Sequence, residues 1–158
     1  FGHHVETLKL PRRLVTRSEK EWAQTKVGSV LAKPADKRTS AEESHRRWNQ
    51  HVLDRFNEQK THPKFEMELH VLRLGDVAVA TNPFELFLDF GMRMKTRCKA
   101  PQTFIVQLAC SSGWYLPTLK AATGGGYSAI IQSNLVGPEG GDVLVNRTVE
   151  LINAMWAK

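Results

Sequence analysis

The sequence predicts an α/β fold, a mixed sheet with helices packed on it, with α+β kept as the alternative. Three observations point there. Segments whose apolar residues recur every second position are interleaved with segments of helical period. Two short apolar runs, VAVAT and TFIVQLA, flank a strongly apolar helical pattern, the element order from which α/β layers are built. The composition of the 158 residues, 41% hydrophobic and 24% charged, is that of a folded globular chain rather than a disordered one.

Taken in order, residues 5–16 alternate at Leu8 and Leu10 before meeting Pro11, which suits a strand near a sheet edge because proline cannot donate to a ladder. Ser18 and Glu21 have the spacing of a capping box. Trp22, Val27, Val30 and Leu31 then form a helical stripe that Pro34 ends. After the polar connector 33–40, Ser40 and Glu43 offer a second box. Ala41, Trp48, Val52 and Phe56 continue as a helix whose other face carries mixed charges, a solvated surface. FEMELHV turns Phe65, Met67, Leu69 and Val71 one way and Glu66, Glu68 and His70 the other. Beyond it Leu72, Arg73 and Leu74 break the parity, through either a bulge or cover on the second face. Gly75-Asp76 closes a hairpin onto VAVAT, a buried strand. Asn82, Pro83 and Glu85 fit the N-cap, first and third positions of a buried helix over 83–98. TFIVQLA reads as a central strand with CSSGWYLPT as the loop leaving it, a position that ligand sites favour. Gly124-Gly125-Gly126-Tyr127 is a turn, residues 128–137 are irregular, and a last helix carries Leu144, Thr148, Leu151, Ile152 and Met155. No repeat or linker divides the chain.

Several function classes drop out. No run of 18 apolar residues marks a transmembrane helix. The formal charge of +6 permits an anionic partner, but no basic patch with interleaved aromatics marks a nucleic-acid surface. The two cysteines, Cys98 and Cys110, make no disulfide framework and read as buried thiols. The six histidines are scattered, with no metal-ligand spacing. No nucleophile elbow, P-loop or dinucleotide fingerprint is present, and the Asn146-Arg147-Thr148 sequon falls inside a helix. Glu85, at the start of an apolar helix, and Tyr115, after a central strand, are the residues best placed for chemistry, although a cap and a packing role account for them equally.

A resemblance adds to this. Residues 72–153 contain LRLGDVAVATNPFELFLDFGMRMKTRCKAPQTFIVQLACSSGWYLPT, then GGGYSA and VGPEGGDVLVNRTVELIN. In order and spacing they resemble the C-terminal part of the catalytic domain of neutral/alkaline, non-lysosomal ceramidases, with the bacterial members most alike. In that family a Pro-Gly-Glu segment provides a glutamate ligand to the catalytic zinc, which here implies Glu85 of Pro83-Phe84-Glu85. A Tyr-x-x-Thr segment brings a tyrosine to the same metal, which implies Tyr115 of Tyr115-Leu116-Pro117-Thr118. Gly125-Gly126-Tyr127 matches a later Gly-Gly-Tyr. Phe84 stands where the family has glycine, adding bulk beside the metal, and Cys110-Ser111-Ser112-Gly113-Trp114 replaces an Asn-Gly-Tyr type of segment. The family's zinc-binding histidines and serine nucleophile lie upstream of this chain. The resemblance therefore implies part of a zinc-dependent amide hydrolase acting on N-acyl lipids, secreted or periplasmic, with Glu85 and Tyr115 as metal ligands and Tyr115 also catalytic. An upstream segment or another chain would complete the domain. The opening at Phe1, without Met or a signal peptide, is expected of a processed, truncated or partly recorded chain. A non-catalytic binding or structural module that keeps the fold is the alternative.

Overall fold

The computed structural model describes residues 1–157. The elements run β1 (Gly2–Pro11), α1 (Arg17–Leu31), α2 (Ser40–Glu58), β2 (Lys64–Leu74), β3 (Val77–Thr81), β4 (Phe84–Leu86), α3 (Leu88–Arg97), β5 (Gln102–Val106), β6 (Trp114–Leu116), α4 (Leu119–Gly124) and α5 (Pro138–Met155). They form two compact units. A helical unit spans Arg13–Pro63, and a sheet unit joins Phe1–Arg12 to the chain from Lys64 onward. The mixed sheet with packed helices is the α/β arrangement read from the sequence.

In the helical unit α1 packs on α2. Both helices begin at capping boxes, but at Thr16 with Glu19 and Thr39 with Glu42, one or two residues before the Ser18/Glu21 and Ser40/Glu43 pairs. Each start offers overlapping S/T-x-x-E spacings, and the earlier one lengthens the helix while satisfying the same orphan N–H groups. The contact face also differs from the expected stripe. Ala23 and Val27 of α1, and Asn49, Val52 and Arg55 of α2, are buried, while Trp22 and Leu31 are exposed. Polar side chains close the unit: Gln59 Oε1 accepts from the Val15 N–H at 2.9 Å, and an Arg55 Nη2 donates to the Arg13 carbonyl at 3.1 Å.

In the sheet unit the strand order is β1-β2-β3-β5. β1 lies at an edge, as Pro11 suggests, antiparallel to β2 from Gly2 opposite Arg73 to Pro11 opposite Lys64. β2 and β3 form the hairpin, turning at Gly75 with φ +59°. β3 and β5 are parallel. The register of β2 is unbroken to Leu74, so no bulge resets it. Arg73 is instead accommodated on the covered face by the end of α5, where it donates to the Met155 carbonyl and lies 4.3 Å from the Trp156 ring centre. The helices α3 and α5 cover that face. Leu10, Met67, Leu69, Val71, Ala78 and Ala80 meet Phe90, Met94, Leu144, Val145 and Ile152 there in one core. A methyl group at Gly141 would stand 2.3 Å from the Phe90 ring, so glycine lets the start of α5 approach α3.

The opposite face of the sheet is open. TFIVQLA, expected to be central, is the edge strand β5, with Phe104 50% and Val106 42% exposed. Leu74 on β2 is exposed as well. The helix expected over 83–98 starts only at Leu88, and Leu88 and Met92 face outward, so it is not apolar on every buried side. The cysteines depart from expectation too: Cys98 is half-buried and Cys110 exposed.

Candidate active-site pair

Asn82-Pro83-Phe84-Glu85 carries the local chemistry of a helix start, yet β4 occupies Phe84–Leu86. Tertiary hydrogen bonds decide it. The buried Asn82 side chain accepts from the Phe84 N–H at 3.1 Å, an Asx turn rather than a helix cap, and donates to the Val106 carbonyl at 3.2 Å. Gly113 N–H donates to the Pro83 carbonyl at 2.8 Å. The Leu86 N–H donates to Gln107 Oε1 at 2.8 Å. β4 then pairs in parallel with β6, Phe84 opposite Trp114, Glu85 opposite Tyr115 and Leu86 opposite Leu116. A ladder fixed at both ends outweighs a helix-start propensity worth about 1 kcal/mol.

Strand alternation now sorts the side chains. Phe84, Leu86 and Leu116 enter the core, and Glu85 and Tyr115 emerge on the other side, both partly exposed. The bulk of Phe84 therefore does not crowd Glu85. Its ring lies against Phe65, 5.5 Å between centres, and over Gly113, where an added Cβ would stand 2.4 Å from it. A large residue at 84 and glycine at 113 are complementary.

The Tyr115 phenol and the Glu85 carboxylate belong to opposed residues of the β4–β6 ladder. That carboxylate, followed by partial desolvation and the nearby Tyr127, raises the phenol above its ordinary pKa, because ionising it would set two anions side by side. Tyr127, from the Gly-Gly-Tyr turn, meets the Tyr115 ring edge-on with centres 5.9 Å apart. Glu85 thus neither caps a helix nor folds back on the Asn82 N–H, which donates to the Val106 carbonyl at 2.9 Å.

Sequence reading passed over the residues that hold this pair. Asn134 is fully buried, and its Nδ2 donates to the Tyr115 carbonyl at 3.3 Å and to the Ser128 carbonyl at 2.9 Å. An isolated bridge joins Trp114 to Asn134. Nothing in an irregular stretch without periodicity signals such a role. The backbone leading into β6 is also strained: Leu108 and Cys110 of the loop and Trp114 at the start of the strand all have positive φ, at 54°, 65° and 59°. Non-glycine residues held there cost free energy that the surrounding contacts must offset.

Two oxygen donors side by side suit a hard or borderline cation, and a carboxylate is an ordinary zinc ligand. Glu85 and Tyr115 can provide two positions of such a site. Among the described residues, the one group of three or more His, Cys, Asp or Glu donors close enough to share an ion is elsewhere, at Glu68, His70 and Cys110. The other histidines lie apart from Glu85 in sequence and element: His3 and His4 on β1, His45 and His51 on α2, and His62 in the turn after it.

No protein-family model and no curated protein matches the sequence. Among solved structures, the neutral ceramidase from Pseudomonas aeruginosa matches with a TM-score of 0.51 and 18% identity, over 57% of this chain and 15% of that one. A ceramidase complexed with C2 matches with a TM-score of 0.52 and 16% identity, over 58% of this chain and 15% of that one. At these identities the likeness is one of fold, and the chain spans about 15% of the length of the structures it matches. Over more than half its length, this chain is similar in fold to part of a neutral ceramidase.

Proposed function

We propose that this chain contributes half of the catalytic metal site of a zinc-dependent amide hydrolase of the ceramidase kind. The observation that carries the reading is the Glu85–Tyr115 pair: neighbouring oxygen donors on opposed residues of two parallel strands, at the positions where the family resemblance puts two zinc ligands. Zinc takes three or four protein ligands, with carboxylate oxygens at about 2.0–2.2 Å, so the pair needs partners. In this reading the histidine ligands and the serine nucleophile come from an upstream segment or another chain. The same segment covers the open sheet face at Leu74, Phe104 and Val106, whose exposure and the 15% coverage of the ceramidase structures suit a part of a larger domain.

Bound there, the metal would act as a Lewis acid toward an amide carbonyl. Glu85 contributes negative charge and one coordinating oxygen. Tyr115, its backbone held by Asn134 and its ring by Tyr127, presents a phenol O–H that can donate to oxygen charge developing on the carbonyl. The substrate class is an N-acyl lipid. The non-catalytic alternative draws on the loss of the glycine before Glu85 and on the missing histidine ligands; the core-directed Phe84 ring answers the first of these.

The test is hydrolysis of a fluorogenic N-acyl lipid amide by the assembled protein. Chelation should abolish turnover and zinc should restore it. Glu85→Ala should reduce it to background, and Tyr115→Phe should cost about 10²–10³-fold in kcat, the scale of one oxyanion donor. Full activity in Glu85→Ala would overturn the assignment.

A further inference from the structure

A separate set of donors lies on the open face of the four-stranded sheet. Glu68 and His70 stand two residues apart on β2 and so point to the same side. Cys110, in the strained loop after β5, joins them. One ligating atom from each, the Glu68 carboxylate oxygen, a His70 ring nitrogen and the Cys110 sulfur, lies within 4.8 Å of the others. Ligand atoms of a tetrahedral ion with bonds of about 2.0–2.3 Å sit roughly 3.3–3.8 Å apart, so closure requires only side-chain adjustment. Glu68 and Cys110 are exposed and His70 is half-buried, which leaves an entry path from solvent.

We propose that Glu68, His70 and Cys110 form a binding site for a borderline transition-metal ion of the zinc class, distinct from the Glu85–Tyr115 pair. The donor types set the metal class. A thiolate with an imidazole and one carboxylate selects zinc-like ions over magnesium or calcium, which prefer all-oxygen shells. The orientation of His70 sets the ligand atom. Its Nε2 is 2.6 Å from Glu68 Oε1, and its Nδ1 is 2.9 Å from His3 Nε2, with the His3 and His70 rings stacked 5.2 Å apart. His70 Nε2 is thus the ligand, and Nδ1–H donates to His3, the outer hydrogen bond that ligating histidines use to fix ring and tautomer. His3 is a positioning residue. The platform beneath is pinned by the β1–β2 ladder, and the His70 N–H donates to Thr81 Oγ1 at 3.1 Å. The ion takes the place of the hydrogen on His70 Nε2, which the imidazole then carries on Nδ1, and of the thiol proton of Cys110, which is released to solvent. Water completes the fourth position.

The test is titration of the reduced full chain with Co²⁺, followed by competition with Zn²⁺. One equivalent of cobalt should give a thiolate-to-cobalt charge-transfer band together with intense tetrahedral d–d absorption, and zinc should displace both. Cys110→Ser should remove the charge-transfer band, and Cys98→Ser should leave it. His70→Gln should weaken binding by at least tenfold. His3→Ala should weaken it about tenfold with the spectrum unchanged, the size of an outer hydrogen bond. Glu85→Ala should retain the band, which separates this site from the hydrolase reading. Far-ultraviolet circular dichroism checks that each variant is folded. Absence of the band at saturating cobalt, its persistence in Cys110→Ser, its loss in Cys98→Ser or Glu85→Ala, or unaltered affinity in His70→Gln would overturn the proposal.

Discussion

The helical unit and the sheet unit reach order by opposite routes. In the helical unit, order is largely local, with the Gln59–Val15 and Arg55–Arg13 bonds as the long-range ties. Two reciprocal capping boxes start the helices, ion pairs such as Arg17–Glu21 and Arg46–Glu43 run along single helices, and the buried apolar set is small. In the sheet unit, distant segments hold one another. Gln107 fixes Leu86, Asn82 fixes Val106, and Asn134 fixes Tyr115. Among the described residues, the Glu85–Tyr115 pair and the Glu68, His70 and Cys110 group both lie in the second unit. Side chains from separate segments can be set side by side where the backbone is tied tertiarily, whereas a helix face pairs residues three or four apart in its own sequence.

Phe84→Ala attacks that difference most strongly. Removing a fully buried ring that fills the space over Gly113 should cost about 3–5 kcal/mol, read by urea unfolding, with loss of amide protection in β4 and β6. A cost near 1 kcal/mol would mean that the site strands are not core-supported. Gly113→Ala should be damaging for the complementary reason, since its methyl would meet the Phe84 ring at 2.4 Å.

The helical unit should respond on a smaller scale. Thr39→Ala removes the side-chain oxygen that accepts from the Glu42 N–H at 3.2 Å and should cost about 1 kcal/mol. Thr39→Ser should restore most of it. An effect as large as that of Phe84→Ala would contradict local control.

The smallest effect concerns acid. Arg147 grips both carboxylate oxygens of Glu6 at 2.7 Å, joining α5 to β1. These hydrogen bonds, opposed by desolvation and helped by His4, lower the Glu6 pKa from 4.5 to about 2. A lowered folded-state pKa contributes stability above the unfolded value and loses it as pH falls. Arg147→Ala should therefore be less stable than the parent at pH 7, by about 1 kcal/mol or less for a partly exposed pair. The gap should close as pH falls from 4.5 toward 2. A gap that widens in acid would refute the linkage.

Legibility in the sequence follows the same division. The alternation of Phe65, Met67, Leu69 and Val71, the hairpin at Gly75-Asp76 and the apolar stripe of α5 were readable because periodicity encodes burial directly. Capping boxes were readable as a type but not to the residue, since overlapping Ser/Thr–Glu spacings compete. Glu85 and Tyr115 could be singled out, but their pairing could not. The local signal at Asn82-Pro83 favours a helix, and only the parallel contact with β6 makes a strand. Asn134 and Gln107 were invisible because a buried amide that bonds a remote backbone leaves no pattern of its own. The edge position of β5 was hidden for a related reason. An apolar run suits a strand buried on both faces, whereas Phe104 and Val106 here lie on an open face.

The most direct test of the central claim is anomalous scattering at the zinc edge from crystals of the zinc-loaded protein, together with the segments that the proposed function calls for. A peak within about 2.0–2.2 Å of a Glu85 carboxylate oxygen, on the side where Tyr115 lies and with histidines completing the shell, is the predicted result. A fully loaded crystal with no peak at Glu85, and the Glu85–Tyr115 pair unchanged, would contradict it.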